Sequence, residues 1–160
     1  DYAYILIHQL DAFVFRDELL IWCQKGYDYV GSPGFPDDMY NILTEQQADQ
    51  WAAALSSSRP LLNGGLSLRR IKAMKRYLRI HNLFFPTWVG NEDMLFSLFA
   101  RRLILMRPFI RLPHWQEALR FSFEKSPQAS LALIEGTLPF GCHAWERYDP
   151  VFWAGHIVQS

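Results

Sequence analysis

The chain has 160 residues, 50% of them hydrophobic, and its 16 basic and 16 acidic side chains cancel to a formal charge of zero. That length suits one globular domain burying roughly 70% of its unfolded surface, and a zero sum excludes the overall positive field of a binder of nucleic acid or anionic membranes. Two cysteines, Cys23 and Cys142, make neither a disulfide framework nor a CxxC metal pattern, and no apolar run approaches the roughly 20 residues of a bilayer span.

The expectation is a soluble, cytoplasmic protein with neither nucleic acid nor a membrane span among its partners. Asp1 stands directly before a core-like strand with no initiator methionine, which reads as a piece of something longer. The run Tyr2-Ala-Tyr-Ile-Leu-Ile7 carries no charge and reads as a strand buried on both faces. Polar groups begin at His8-Gln9-Leu10-Asp11. Ligands of open α/β sheets bind beyond the carboxyl ends of strands, so Asp11 stands where a carboxylate meets a substrate or metal; it serves equally as the cap of a turn. Asp17 is placed to cap a short helix over Glu18 to Cys23, with Gly26 as its stop. Tyr27 to Val30 reads as a brief strand, broken by Gly31-Ser-Pro-Gly-Phe-Pro36, and Asp37 and Asp38 follow in a loop as a solvated pair.

Thr44-Glu-Gln-Gln47 fits a capping box for a helix to about Leu55, ended by Ser56-Ser-Ser-Arg-Pro60. In Asn63-Gly64-Gly65-Leu66-Ser67-Leu68 two glycines precede an alternating strand, either to let a ligand approach the backbone or as an ordinary turn. Ile71, Met74 and Leu78 make the apolar face of a helix from Arg70 to Ile80, with Lys72, Lys75, Arg76 and Arg79 outside, and His81 to Gly90 reads as a loop. Asn91-Glu92-Asp93 opens the apolar segment Met94 to Ala100, where acids complement a helix N-terminus. Leu103 to Met106 reads as a strand or helix end. Four arginines around it, Arg101, Arg102, Arg107 and Arg111, suit either a phosphate or a gatekeeping role. A short helix around Pro113 to Leu119 precedes Phe121-Ser-Phe-Glu124. His143 stands in an aromatic loop, and Asp149-Pro150 starts a C-terminal helix as N-cap and first residue.

Six stretches, in this order, resemble one family. They are Ile5-Leu-Ile-His-Gln-Leu-Asp-Ala12, Tyr27-Asp-Tyr-Val-Gly-Ser-Pro33, Asn63-Gly-Gly-Leu-Ser-Leu-Arg69, Asn91-Glu-Asp93, Phe121-Ser-Phe-Glu124 and Pro139-Phe-Gly-Cys-His143. Together they look like the catalytic half of GT-A-type glycosyltransferases, and more closely like an uncharacterised family of predicted sugar transferases with that fold. The resemblance implies an α/β fold, a mixed and mostly buried sheet flanked by helices. It implies a single domain over residues 1–160, lacking an N-terminal nucleotide-binding portion.

It further implies metal-assisted, inverting transfer of a sugar from a nucleotide-sugar donor to a glycan or other acceptor hydroxyl, as in polysaccharide biosynthesis. Asp11, as the last carboxylate of the DxD motif, and His143, as the late histidine, would hold Mn²⁺ or Mg²⁺. Gln9, Asn63, Gly64 and Gly65 would line the sugar and acceptor site. Glu92 and Asp93 would form the xED motif, with Asp93 as general base. Gln9 stands where the motif usually has an acid, so the metal shell would have one carboxylate fewer. Two other readings are a non-catalytic carbohydrate-binding module on a degenerate form of the fold, and a zinc hydrolase drawing on His8, His81, His114, His143 and His156.

Overall fold

A computed structural model describes residues 2–35, 45–58 and 60–157. Asp37, Asp38 and Thr44 lie outside the described residues. The charge-free opening run forms β1, Tyr4–His8, and a three-residue corner carries the chain into β2, Ala12–Val14. There follow α1 (Leu19–Gln24), β3 (Tyr29–Pro33), α2 (Glu45–Ser58), β4 (Leu62–Arg70) and α3 (Ile71–Phe84). A π-helical turn, Met94–Phe99, runs into α4 (Ala100–Arg102), and a 3₁₀ turn, Arg107–Phe109, comes before α5 (Trp115–Phe121). The chain closes with β5 (Ser122–Phe123), α6 (Pro127–Leu133), β6 (Gly141–His143) and α7 (Pro150–Ile157).

The α/β class holds, with the strands divided between two three-stranded sheets. One has the order β1-β4-β3 and is antiparallel throughout; the other has the order β2-β6-β5, with β5 parallel to β6. Apolar side chains alternate along the strands and fill three layers. Tyr29, Tyr77 and Phe96 pack outside the first sheet. Leu66, Leu68, Phe121 and Phe140 join the two sheets, and Phe123, Leu119 and Trp153 back the second. Each such fully buried side chain contributes roughly 1.5–3 kcal/mol relative to exposure.

Several expectations are corrected. β1 is not buried on both faces: among the described strands it pairs with β4 alone, at the edge of its sheet, and Ile5 is 48% exposed. β3 continues through Gly31, Ser32 and Pro33 instead of breaking there, because an edge strand tolerates a proline where the pairing is irregular. α3 runs on through His81 to Phe84, since nothing interrupts its periodicity before Pro86. α1 has Glu18 at its N-cap with no side-chain bond, so Asp17 does not cap it. α6, Pro127–Leu133, was not anticipated. Asp149 caps α7 as read, its carboxylate accepting from Phe152 N–H at 3.1 Å.

The pairing of β4 with β3 jumps from Ser67↔Gly31 to Leu62↔Pro33, so residues 63–66 bulge out of the ladder. The bulge has its own bonds: Gly65 N–H donates to Asn63 Oδ1 (2.7 Å) and Ser67 Oγ to the Gly64 carbonyl (2.9 Å). Ser97 ties the π-helical turn to β4. Its hydroxyl accepts from Leu62 N–H at 3.0 Å and donates to the Asp93 carbonyl at 2.6 Å, and its side chain is fully buried. Ser97→Ala takes from the buried Leu62 N–H its hydrogen-bond acceptor, so it should lower stability by about 1–3 kcal/mol. The urea midpoint should fall with an unchanged slope.

Candidate functional site

The corner Gln9-Leu10-Asp11 is held where the chain passes from one sheet to the other: Gln9 N–H donates to the Gly65 carbonyl and Ala12 N–H to the Gln9 carbonyl, both at 3.0 Å. In the second sheet β5 and β6 run parallel with Phe123 beside Cys142, so the next residues, Glu124 and His143, meet at the carboxyl ends of their strands. The bulge of β4 faces the same point. Ligand sites of α/β sheets form at such strand ends.

His143 is the hub. It is buried at the end of β6, not in an accessible loop as expected, because its ring lies against the β4 bulge. Its Nε2 lies 2.9 Å from Gln9 Oε1 and 3.4 Å from Asp11 Oδ1, and its Nδ1 lies 3.5 Å from Glu124 Oε1. Nδ1 is buried at ion-pair distance from that carboxylate but outside hydrogen-bond geometry. Glu124 is itself fixed by Asn63, whose amide N–H donates to Glu124 Oε1 at 3.1 Å.

The roles of the two ring nitrogens follow the tautomer, and a ring with its proton on Nδ1 turns the Nε2 lone pair toward Gln9 and Asp11. Nε2, Gln9 Oε1 and Asp11 Oδ1 then present three electron pairs to one region, which either a proton on Nε2 or a cation satisfies. Two oxygens and one imidazole nitrogen suit a hard divalent cation, with Glu124 orienting the ring from behind. Among the described residues no three His, Cys, Asp or Glu side chains gather into a metal-holding group. A cation here would take one of its protein ligands from the Gln9 amide. Of the other histidines, His81 packs among Tyr77, Phe85 and Trp88, and His156 against Phe152 and Trp153. The zinc reading therefore finds no ligand set among the described residues.

The two glycines make this approach possible. A Cβ on Gly65 would lie 2.1 Å from His143 Nε2, and one on Gly64 would lie 2.8 Å from Glu92 Oε1 and 2.9 Å from the Arg69 guanidinium. Imidazole and carboxylate thus occupy the space that side chains would take.

Glu92 and Asp93 are adjacent but unlike. Burial acts against the Glu92 charge, yet the hydrogen bond from Arg69 (3.0 Å), its own backbone N–H and the guanidinium charge together hold its carboxyl below the usual range. Asp93 is buried. Desolvation pushes its carboxyl up, the negative charges of Glu92 and Glu124 add to this, and the Met94 N–H (2.7 Å) and Arg69 offset only part. A carboxylate with a raised pKa has the character of a proton acceptor. Asp93 follows Glu92, whose carboxylate lies against Gly64, and its carboxyl feels the charge of Glu124.

Sequence reasoning missed Glu124 and Arg69. Glu124 follows a strand of only two residues, too short to register as one, and the pairing that matters is with a strand 17 residues on. Arg101 and Arg107 turn out to brace backbone: Arg101 donates to the carbonyls of Pro60 (2.8 Å) and Pro113 (2.7 Å), and Arg107 to that of Arg101 (2.7 Å). A cavity of about 460 Å³ lined by Arg101, Ile110 and Trp115 shares no residue with the cluster. The thiols are not nucleophiles of this site; burial pushes Cys142 up to about 12.

Two outcomes follow from this geometry. Gly65→Ala forces its methyl into the His143 ring, so the imidazole resonances of His143 should shift and the fold should lose stability; Ala at the exposed Gly155, where a Cβ meets nothing within 4 Å, is the control. For Asp93 the folded state holds its proton to higher pH than the unfolded chain, so stability falls as pH rises through the ordinary Asp range and stays lower above the folded pKa. Asp93→Asn should therefore raise the urea midpoint at pH 7, with the difference vanishing below about pH 3.

Residues 1–143 match a family model described as a protein of unknown function, DUF5672. No curated protein and no solved structure matches the chain. The motif-bearing stretches and the polar cluster all fall within the matched span, and the chain belongs to the DUF5672 family.

Proposed function

We propose that this domain is a GT-A-type glycosyltransferase catalytic unit, moving a sugar from a nucleotide-sugar donor to an acceptor hydroxyl with inversion. One observation supports the reading: Gln9, Asp11, His143, the Asn63-Gly64-Gly65 bulge and Glu92, far apart in sequence, lie against one another, and Asp93 is the residue after Glu92. Asp93 takes the proton of the acceptor hydroxyl, whose oxygen attacks the anomeric carbon. The bond from that carbon to the diphosphate oxygen breaks, and its electron pair leaves with the diphosphate. Gln9, Asp11 and His143 would hold a divalent cation, which when bound neutralises charge on the leaving diphosphate. Arg69 keeps Glu92 ionised and in place beside the bulge. The bare backbone at Gly64 and Gly65 lets the Glu92 carboxylate and the His143 ring lie against β4.

A second reading, a non-catalytic carbohydrate-binding module, is favoured by Gln9 standing in place of an acid. Calorimetric titration of a panel of nucleotide sugars with and without Mn²⁺ separates the two. Under the enzyme reading, heat requires the metal and is lost in Asp11→Ala and His143→Ala. Asp93→Asn keeps the heat and loses about 10²- to 10⁴-fold in transfer rate. Metal-independent binding of free glycans, with no transfer by the wild type, would instead establish the module.

A further inference from the structure

The zero net charge hides a division. Residues 71–116 carry eight Lys and Arg against two acids, Glu92 and Asp93, while the rest of the chain carries eight basic residues against fourteen acidic. The positive segment also bears a concentrated exposed apolar surface. Leu83 (79% exposed) and Phe84 end α3, Val89 (94%) follows in the next loop, and Ile104 (74%) and Leu105 (75%) project from the turn after α4. Phe84, Phe85 and Leu103 to Met106, with Arg102, line one shallow apolar cavity of about 270 Å³, which joins the helix end to the turn.

Charge and apolar surface are interleaved. At 3.6 residues per turn Lys72, Arg76, Arg79 and Leu83 fall within roughly a 60° sector of α3, opposite the buried Met74, Tyr77 and His81. Lys72, Lys75, Arg79 and Arg102 have no acidic partner among the described residues, whereas Arg69 and Arg70, outside this segment, are paired with Glu92 and Asp28. A helix with a basic outer stripe, ending in bare aliphatic and aromatic tips, matches a surface that is anionic outside and apolar beneath. A patch of this kind on a water-soluble face otherwise invites non-specific association.

We infer that this face, the outer stripe of α3 with Leu83, Phe84, Ile104 and Leu105, docks the domain peripherally on an anionic phospholipid surface. The lysines and arginines meet the headgroups, and the apolar tips enter the boundary with the acyl chains. None of the described helices is long and apolar enough to span the bilayer. The inference stands apart from the transferase reading, since it uses none of the residues in the polar cluster.

The test is flotation of the chain with vesicles of pure phosphatidylcholine and of phosphatidylcholine with about 30% phosphatidylglycerol, at about 0.1 M NaCl. The chain should float with the anionic vesicles only, and release as salt rises to about 0.5 M. Lys72→Gln and Arg79→Gln should each weaken binding about fivefold. Leu83→Ser with Leu105→Ser should abolish it with an unchanged far-ultraviolet spectrum, as both side chains are already exposed. Failure to float with anionic vesicles, or equal flotation with neutral ones, overturns the inference. So does duplex DNA binding that matches vesicle binding, or a concentration-dependent dimer that Leu83→Ser dissociates. The salt response of the wild type decides the matter even if a variant misfolds.

Discussion

The close approach of the His143 ring to the backbone of β4 is the constraint on which the polar cluster depends. It needs a residue without a side chain at position 65, and a bulge that turns the local backbone toward the ring. Once the ring is there, its two nitrogens divide the site. Glu124 and Asn63 lie on one side, Gln9 and Asp11 on the other. Asn63 serves both, since one amide donates to Glu124 and accepts from Gly65 N–H, and so couples the bulge to the histidine's carboxylate. Few of these bonds are worth more than about 1.5 kcal/mol in net terms, but leaving any one group unpaired in this buried setting costs more than the bond contributes.

The second organising feature is unequal desolvation. Glu92 and Asp93 are chemically alike and adjacent, yet one is held ionised by Arg69 at the surface while the other is buried among like charges. The burial of Asp93 is enforced from behind by Ser97, which joins the π-helical turn to the first residue of β4. π-Helical turns are uncommon and recur at functional sites, because the extra residue per turn re-aims a side chain. Here the turn follows Asp93 directly. The raised carboxyl of Asp93 costs the fold stability once it ionises.

Much of the architecture was legible before any coordinates. The strand at Tyr4, the amphipathic α3 and the Asp149-Pro150 start of α7 carry strong local signals: apolar runs, helical periodicity and a capping pair. Misreadings fell where tertiary context overrode local rules. The proline and glycines of β3 suggested a break, but an irregular edge position accommodates them. β5 is too short to have a period, and Glu124 next to it carried no visible role. The summed charge excluded an overall field, but a sum records nothing about where the charges sit.

What the sequence determined by itself was the inventory: a strand ending in Gln9 and Asp11, a glycine pair entering a strand, an acidic pair opening an apolar segment, and a late histidine. These are local facts, set by propensity and pattern over a few residues. Only the tertiary structure decided that they meet, that Glu124 stands behind the histidine, and that Asp93 and not Glu92 loses its water. Convergence and desolvation are properties of space and not of sequence separation: they depend on strand order, on a bulge of a few residues, and on what packs above each carboxylate.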